Sequence, residues 1–179
     1  RNSAADGEWT GCRPRRTWVF QDGRPMERST PMEVQTTRFG TVEIAEDRVI
    51  TFAKGLLGFS EQLRYCLLQP SDDACFFWLQ CVDDPSLAFV VTDPSLFFDD
   101  YSVPIRAEQA EDLRLKTLDD AQVFVIVNRV GGKLTGNLQG PLVINTVDRI
   151  GEQFVLAEKR WTTRHELLSV EDMAKAASA

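Results

Sequence analysis

Residues 76–94 spell out two strands and the reversal that joins them. Phe76-Phe77-Trp78-Leu79-Gln80-Cys81-Val82 and Leu87-Ala88-Phe89-Val90-Val91-Thr92 each have strand length and are rich in the aromatic and β-branched side chains that suit a pleated, half-buried surface. Between them, Asp83-Asp84-Pro85-Ser86 has the chemistry that turns a chain: short polar side chains that bond to nearby backbone, and a proline that presets φ. The segment predicts a β-hairpin, and nothing in it is equipped for covalent chemistry. Alternation puts Phe77 and Leu79 on one face and Phe76, Trp78 and Gln80 on the other, which leaves two readings open: both sets fill the core, or one set stays partly exposed.

The same rhythm recurs along the chain. Residues 34–39 and 41–44 alternate as strands separated at Gly40, and residues 48–52 follow. Lys54-Gly55-Leu56-Leu57-Gly58-Phe59 is a glycine-punctuated turn, Ser60-Glu61-Gln62-Leu63 predicts one helical turn with Ser60 as N-cap, and residues 64–68 return to strand. Residues 122–130 are the most β-prone run, and Gly131-Gly132 permits the positive φ angles of a tight hairpin before residues 133–138 come back antiparallel. Residues 141–145 and 151–156 complete the strands. Helix is confined to residues 107–113 after Pro104, a weak pattern over 166–177, and a turn of helix or irregular loop over 96–101. About nine short strands at hairpin spacing leave no room for the crossover helices of a parallel sheet. The expected fold is mostly β, an antiparallel β-barrel-like single domain with short helical segments.

At 179 residues and 43% hydrophobic, the chain can bury one sizeable core. No run of about 18 apolar residues is present, and the beginning of the sequence lacks a secretory h-region, so a soluble, cytoplasmic protein with no membrane partner is expected. Residues 1–31 lack periodicity and read as an extension or arm outside the core, residues 32–170 as the β domain, and residues 171–179 as a tail. Before Met32 there are six Lys or Arg against four Asp or Glu; from Met32 onward there are 14 against 23, leaving the body at −9 and the leading segment at +2. An acidic body repels phosphate backbones and draws in basic partners, which disfavours direct nucleic-acid binding.

Chemistry is hard to place in this sequence. His165, the single histidine, has no serine or cysteine nucleophile set beside it. Cys12, Cys66, Cys75 and Cys81 lack zinc-ligand spacing, and three of them lie in or beside apolar runs where a thiol acts as a small hydrophobe. The glycines match neither the dinucleotide fingerprint nor the phosphate loop, and the paired aspartates sit at turns without calcium-loop spacing. No metal, cofactor or small-molecule substrate is implied. Phe76, Trp78, Phe97, Phe98 and Tyr101 either fill the core or form an aromatic binding face ringed by acids.

Read from Met32, the order Val49-Ile50-Thr51-Phe52, Lys54-Gly55-Leu56-Leu57-Gly58-Phe59, Phe77-Trp78-Leu79-Gln80, Leu87-Ala88-Phe89-Val90-Val91-Thr92-Asp93-Pro94 and Phe98-x-x-Tyr101 resembles the FliW family of flagellar assembly factors. Thr135-Gly136-Asn137-Leu138-Gln139-Gly140-Pro141-Leu142-Val143-Ile144-Asn145 is similar to the family's Asn-Leu-x-x-Pro-hydrophobic-Ile-Asn segment, and Thr163-Arg164-His165 to its Tyr-x-x-Arg-His. The resemblance covers about residues 32–170. The leading extension, Trp161 in place of a commoner tyrosine, and Gly136 and Gly140 in place of frequent alanines depart from it. It implies a cytoplasmic, non-enzymatic protein that binds the RNA-binding translational repressor CsrA and also flagellin, with flagellin displacing CsrA. On that reading Asp83, Asp84, Asp99, Asp100 and Tyr101 supply charge and rim hydrogen bonds to CsrA, and Phe97 and Phe98 supply apolar anchors. The alternatives are a chaperone-like binder of flagellin without CsrA, and a small β-barrel cofactor-binding enzyme, which would show a colour, a retained ligand or a deep polar pocket.

Overall fold

The computed structural model describes residues 30–71, 74–169 and 172. The expected extension and tail lie outside the described residues, apart from Thr30, Pro31 and Asp172. Among these residues there are eleven strands in two sheets, two more than the sequence suggests. Strands β1 (Pro31–Thr36) and β2 (Gly40–Ala45) pair antiparallel with each other and with no other strand. β1 stops three residues short of its expected end because the Thr36 hydroxyl accepts from the Phe39 amide at 2.8 Å and donates to the Gly40 carbonyl at 2.8 Å, folding the chain back.

The second sheet contains β3 (Ile50–Phe52), β4 (Arg64–Leu68), β5 (Phe76–Cys81), β6 (Ala88–Thr92), β7 (Ala121–Val130), β8 (Lys133–Gly136), β9 (Leu142–Asn145), β10 (Ile150–Gln153) and β11 (His165–Ser169), in the spatial order β11-β8-β7-β6-β5-β4-β3-β10-β9. Because β9 also pairs with β7, the seven strands β7, β6, β5, β4, β3, β10 and β9 close into a barrel. The long strand β7 gives Ala121–Phe124 to β9 and Val127–Val130 to β8. Gly131 and Gly132 take φ of 56° and 76° in the hairpin turn that the sequence marks. Every pairing is antiparallel except β3 with β10, where Thr51 faces Ile150 and Phe52 faces Gly151.

Alternation along the strands sorts the side chains. Phe77, Leu79 and Cys81 of β5, Val91 of β6, Phe124 of β7 and Phe52 of β3 fill one buried cluster that lines the barrel interior. Three further clusters cover the outside of the wall: one around Phe76, Trp78 and Val90, one around Leu138, Leu156 and Trp161, and one around Leu113, Val143 and Phe154. With both faces covered, all six β5 residues are buried, Phe76 at 2% and Trp78 at 1% exposure. Of the two readings the sequence left open for this strand, both faces fill the core, and Phe76 and Trp78 offer no exposed binding face.

Two local expectations also fail. Residues 60–63 form a turn without a helix, because reciprocal Leu56–Phe59 backbone bonds and the φ of 85° at Gly58 tighten the chain just before them. Residues 165–169 form β11 in place of helix, with Glu166 paired to Lys133 Nζ at 2.7 Å and a bulge between Glu166 and Leu168. The expected helix exists as α1 (Ala107–Asp112), with Gln109 accepting from the Arg106 amide at 2.9 Å.

Candidate functional site: two acidic turns at opposite ends of a hairpin

The seven residues singled out in the sequence fall into two groups. Asp83 and Asp84 occupy the β5–β6 turn, while Phe97, Phe98, Asp99, Asp100 and Tyr101 follow the 3₁₀ turn Pro94–Leu96 that leaves the far end of β6. The five residues of β6 lie between them, a rise of about 17 Å at roughly 3.3 Å per residue. They form two surfaces, not one.

At the first turn, Arg64 of β4 forks onto Asp83: Nε donates to Oδ2 at 3.1 Å and a terminal guanidinium nitrogen donates to Oδ1. That hydrogen-bonded guanidinium holds the Asp83 carboxyl below its ordinary pKa. Asp84 is used inside the turn, where Oδ1 accepts from the Ser86 hydroxyl at 2.7 Å and the Ser86 amide at 3.0 Å, and these bonds lower its pKa as well. Underneath, the buried Gln80 side chain donates from Nε2 to the carbonyls of Cys81, Asp84, Pro85 and Leu87 and fixes the turn from within.

The second group stands on an aromatic platform. Asp93 Oδ1 accepts from the Ser95 amide at 2.8 Å and its Oδ2 from Gln122 Nε2 at 3.3 Å, so the chain leaves β6 in a fixed direction. Phe97 packs on Phe76 at 6.1 Å between ring centroids, while Phe98 meets the Trp161 ring edge-on at 5.5 Å and His165 at 5.2 Å. Tyr101 lies 5.0 Å from the Trp161 centroid and donates its hydroxyl to the Leu138 carbonyl at 2.8 Å; burial pushes its phenol above the ordinary pKa. Phe97, Phe98 and Tyr101 are thus half-buried supports of the loop, and little of their surface is left for a partner. Asp99 and Asp100, on this platform, are exposed. Asp100 pairs with Arg160, whose hydrogen bond lowers the Asp100 pKa and whose guanidinium lies 4.5 Å over Trp161.

Sequence reasoning missed Arg64, Arg160 and the Trp161–His165 pair as parts of these surfaces. Only the i, i+4 spacing of Trp161 and His165 beside the matching Arg-His was a visible signal. Gly140 explains one departure from the family pattern. A Cβ there would lie 2.7 Å from Asn137 Nδ2, and Asn137 Oδ1 accepts the Gly140 amide at 2.9 Å in the crossing from β8 to β9. His165 is half-buried against Phe98 and Trp161, the place of a packing residue. Among the described residues no cluster of three metal-ligating side chains occurs, and no helix is long and apolar enough to cross a membrane.

Comparison with known proteins bears on the whole barrel. A family model described as "FliW protein" matches residues 33–167, from β1 into β11. The chain is 39% identical over 140 residues to the flagellar assembly factor FliW of Treponema denticola, covering 77% of this chain and 95% of that protein. It is 39% identical over 147 residues to that of Geobacter sulfurreducens, covering 81% and 92%. A crystal structure of the flagellar assembly factor FliW superposes with a TM-score of 0.71 at 33% identity, covering 76% of this chain and 97% of the other. The chain belongs to the FliW family of flagellar assembly factors.

Proposed function

We propose that this protein binds two partners in turn, the basic RNA-binding repressor CsrA and flagellin, so that accumulating flagellin releases CsrA and flagellin translation falls. The observation that carries this reading is the Asp99–Asp100 turn, an acidic loop held in place by the Phe98–Tyr101–Trp161 platform on a body whose net charge is strongly negative. The exposed Asp99 and the net negative charge of the body draw in a cationic surface, while Asp100, already paired with Arg160, adds less to that attraction. Such rim charges act mainly on the encounter rate, whereas any large loss of affinity on mutation would have to come from better-buried contacts. Asp83, fixed by Arg64 at the other end of β6, offers a second acidic surface, so the two partners need not share one footprint.

Titration of the protein with purified CsrA at modest salt tests the function: a complex at micromolar concentration, dissociated by added flagellin, is the expected result. No complex under those conditions overturns the CsrA reading, and a complex with flagellin alone would favour a chaperone role instead. For the site, Asp99→Lys with Asp100→Lys is expected to slow CsrA association about tenfold while leaving dissociation nearly unchanged. An unchanged association rate removes this turn from the interface.

A further inference from the structure

The β1–β2 hairpin shares no strand pairing with the barrel. It forms its own sheet, and its buried Val34 belongs to none of the four core clusters. Thr30 and Glu46, at its two ends, are tied to each other by the Glu46 amide at 3.0 Å, and the chain reaches β3 through the single 3₁₀ turn Glu46–Arg48. Val34 and Thr36, on one face of the hairpin, are buried, and its tip grips the barrel: the Thr37 amide donates to the Pro85 carbonyl at 3.0 Å, the Arg38 guanidinium lies 4.2 Å over the Trp78 ring, and Phe39 meets that ring edge-on at 5.9 Å.

The Trp78 ring beneath the tip carries a polar atom that the tip does not match. Trp78 Nε1 and Gln80 Oε1, a donor and an acceptor on the same outward face of β5, are buried without a hydrogen-bond partner. Arg38 presents another cation to the indole face and no acceptor to the indole N–H. A closed tip buries apolar ring surface but leaves the Trp78 N–H without an acceptor, so closure gains less than an equal apolar contact elsewhere.

The geometry points to a hinged flap: β1–β2 swings as one unit about Glu46–Arg48, and in its closed position the Thr37–Phe39 tip shields Trp78. Opening presents an indole with an unused N–H donor next to the Asp83–Ser86 turn, an aromatic anchor beside charge, as interfaces favour. Because Pro85 takes part in both turn and latch, a partner seated on that turn senses the flap, a consequence that rests on the function proposed above.

The flap itself is tested without any partner. In the full ¹⁵N-labelled chain, hydrogen exchange of the Trp78 indole N–H is compared with that of the backbone amides in the β5–β6 ladder. The indole is expected to exchange faster than those amides, and Arg38→Ala with Phe39→Ala to speed it about tenfold further, the loss of one cation–π and one edge-on contact, with the ladder amides unchanged. Arg38→Ala alone, at an exposed tip, is expected to give a smaller acceleration and guards against a folding defect in the double variant. An indole that exchanges only in step with the ladder, in the parent and in Arg38→Ala, overturns the flap.

Discussion

Gly151→Ala probes the seam where the barrel closes. At this position β10 lies parallel to β3, and a Cβ on residue 151 would lie 2.5 Å from Cε1, 2.7 Å from Cζ and 3.0 Å from Cδ1 of Phe52. Phe52 is fully buried and is itself held edge-on by Tyr65 at 5.6 Å, so the ring cannot swing away as the end of a surface side chain would. Either the ring leaves its rotamer or the two strands part, and overpacking of this kind costs about 1–3 kcal/mol. We expect a loss of about 2 kcal/mol, read as a lower urea midpoint with unchanged slope and a fall in Tm of about 6 °C at roughly 3 °C per kcal/mol for a domain of this size. Gly136→Ala is the control, since the nearest atoms to its Cβ would be Cδ1, Cδ2 and Cγ of the Leu167 side chain, at 3.2, 3.3 and 3.4 Å, and it should cost less. In a Phe52→Leu background the alanine at 151 should become less harmful, a coupling that a double-mutant cycle detects. A Gly151→Ala protein within about 0.5 kcal/mol of the parent would refute the reasoning, because it would show that the seam has slack.

Tyr101→Phe keeps the ring on Trp161 but removes the donor to the Leu138 carbonyl, and urea unfolding should show a loss of about 1 kcal/mol. Asp83 and Asp100 both have folded pKa values below their unfolded ones, so the stability they contribute is present above the ordinary carboxylate pKa and disappears as pH falls through the folded value. Urea midpoints should therefore decline on acidification below about pH 4, and Arg64→Gln with Arg160→Gln should flatten that decline. Burial pushes the Cys66 thiol up to about 11 and raises Cys81 in the same direction, so a disulfide reagent at about pH 8 should leave both unmodified until urea unfolds the barrel.

What was legible in the sequence was local. Asp83-Asp84-Pro85-Ser86 and Gly131-Gly132 mark their turns because the needed backbone angles and side-chain bonds are carried by those residues alone, and both hairpins are present. The family blocks could also be read, since the Asn137–Asn145 stretch forms the crossing from β8 into β9. Long-range pairing could not be read. Nothing at Thr51 or Ile150 announces a parallel partner, and nothing in β7 says that one edge serves two strands. Burial on both faces of β5 depends on covering segments distant in sequence, so alternation sorted its side chains correctly but misjudged their exposure. For the same reason the aspartates were visible as acidic turns, while Arg64 and Arg160, which set their charge state, lie 19 and 60 residues away from Asp83 and Asp100.

The parallel seam also sets a timetable for synthesis. Strand β3 acquires its neighbour on one side from β4 soon after it emerges, but its other side waits for β10, about a hundred residues later. At ribosomal speeds of about 5–20 residues per second, that edge stays open for roughly 5–20 s in every nascent chain. During that interval the half-made wall offers an unpaired strand bordered by Phe52, and each newly made molecule completes its ring only after most of the chain has been translated.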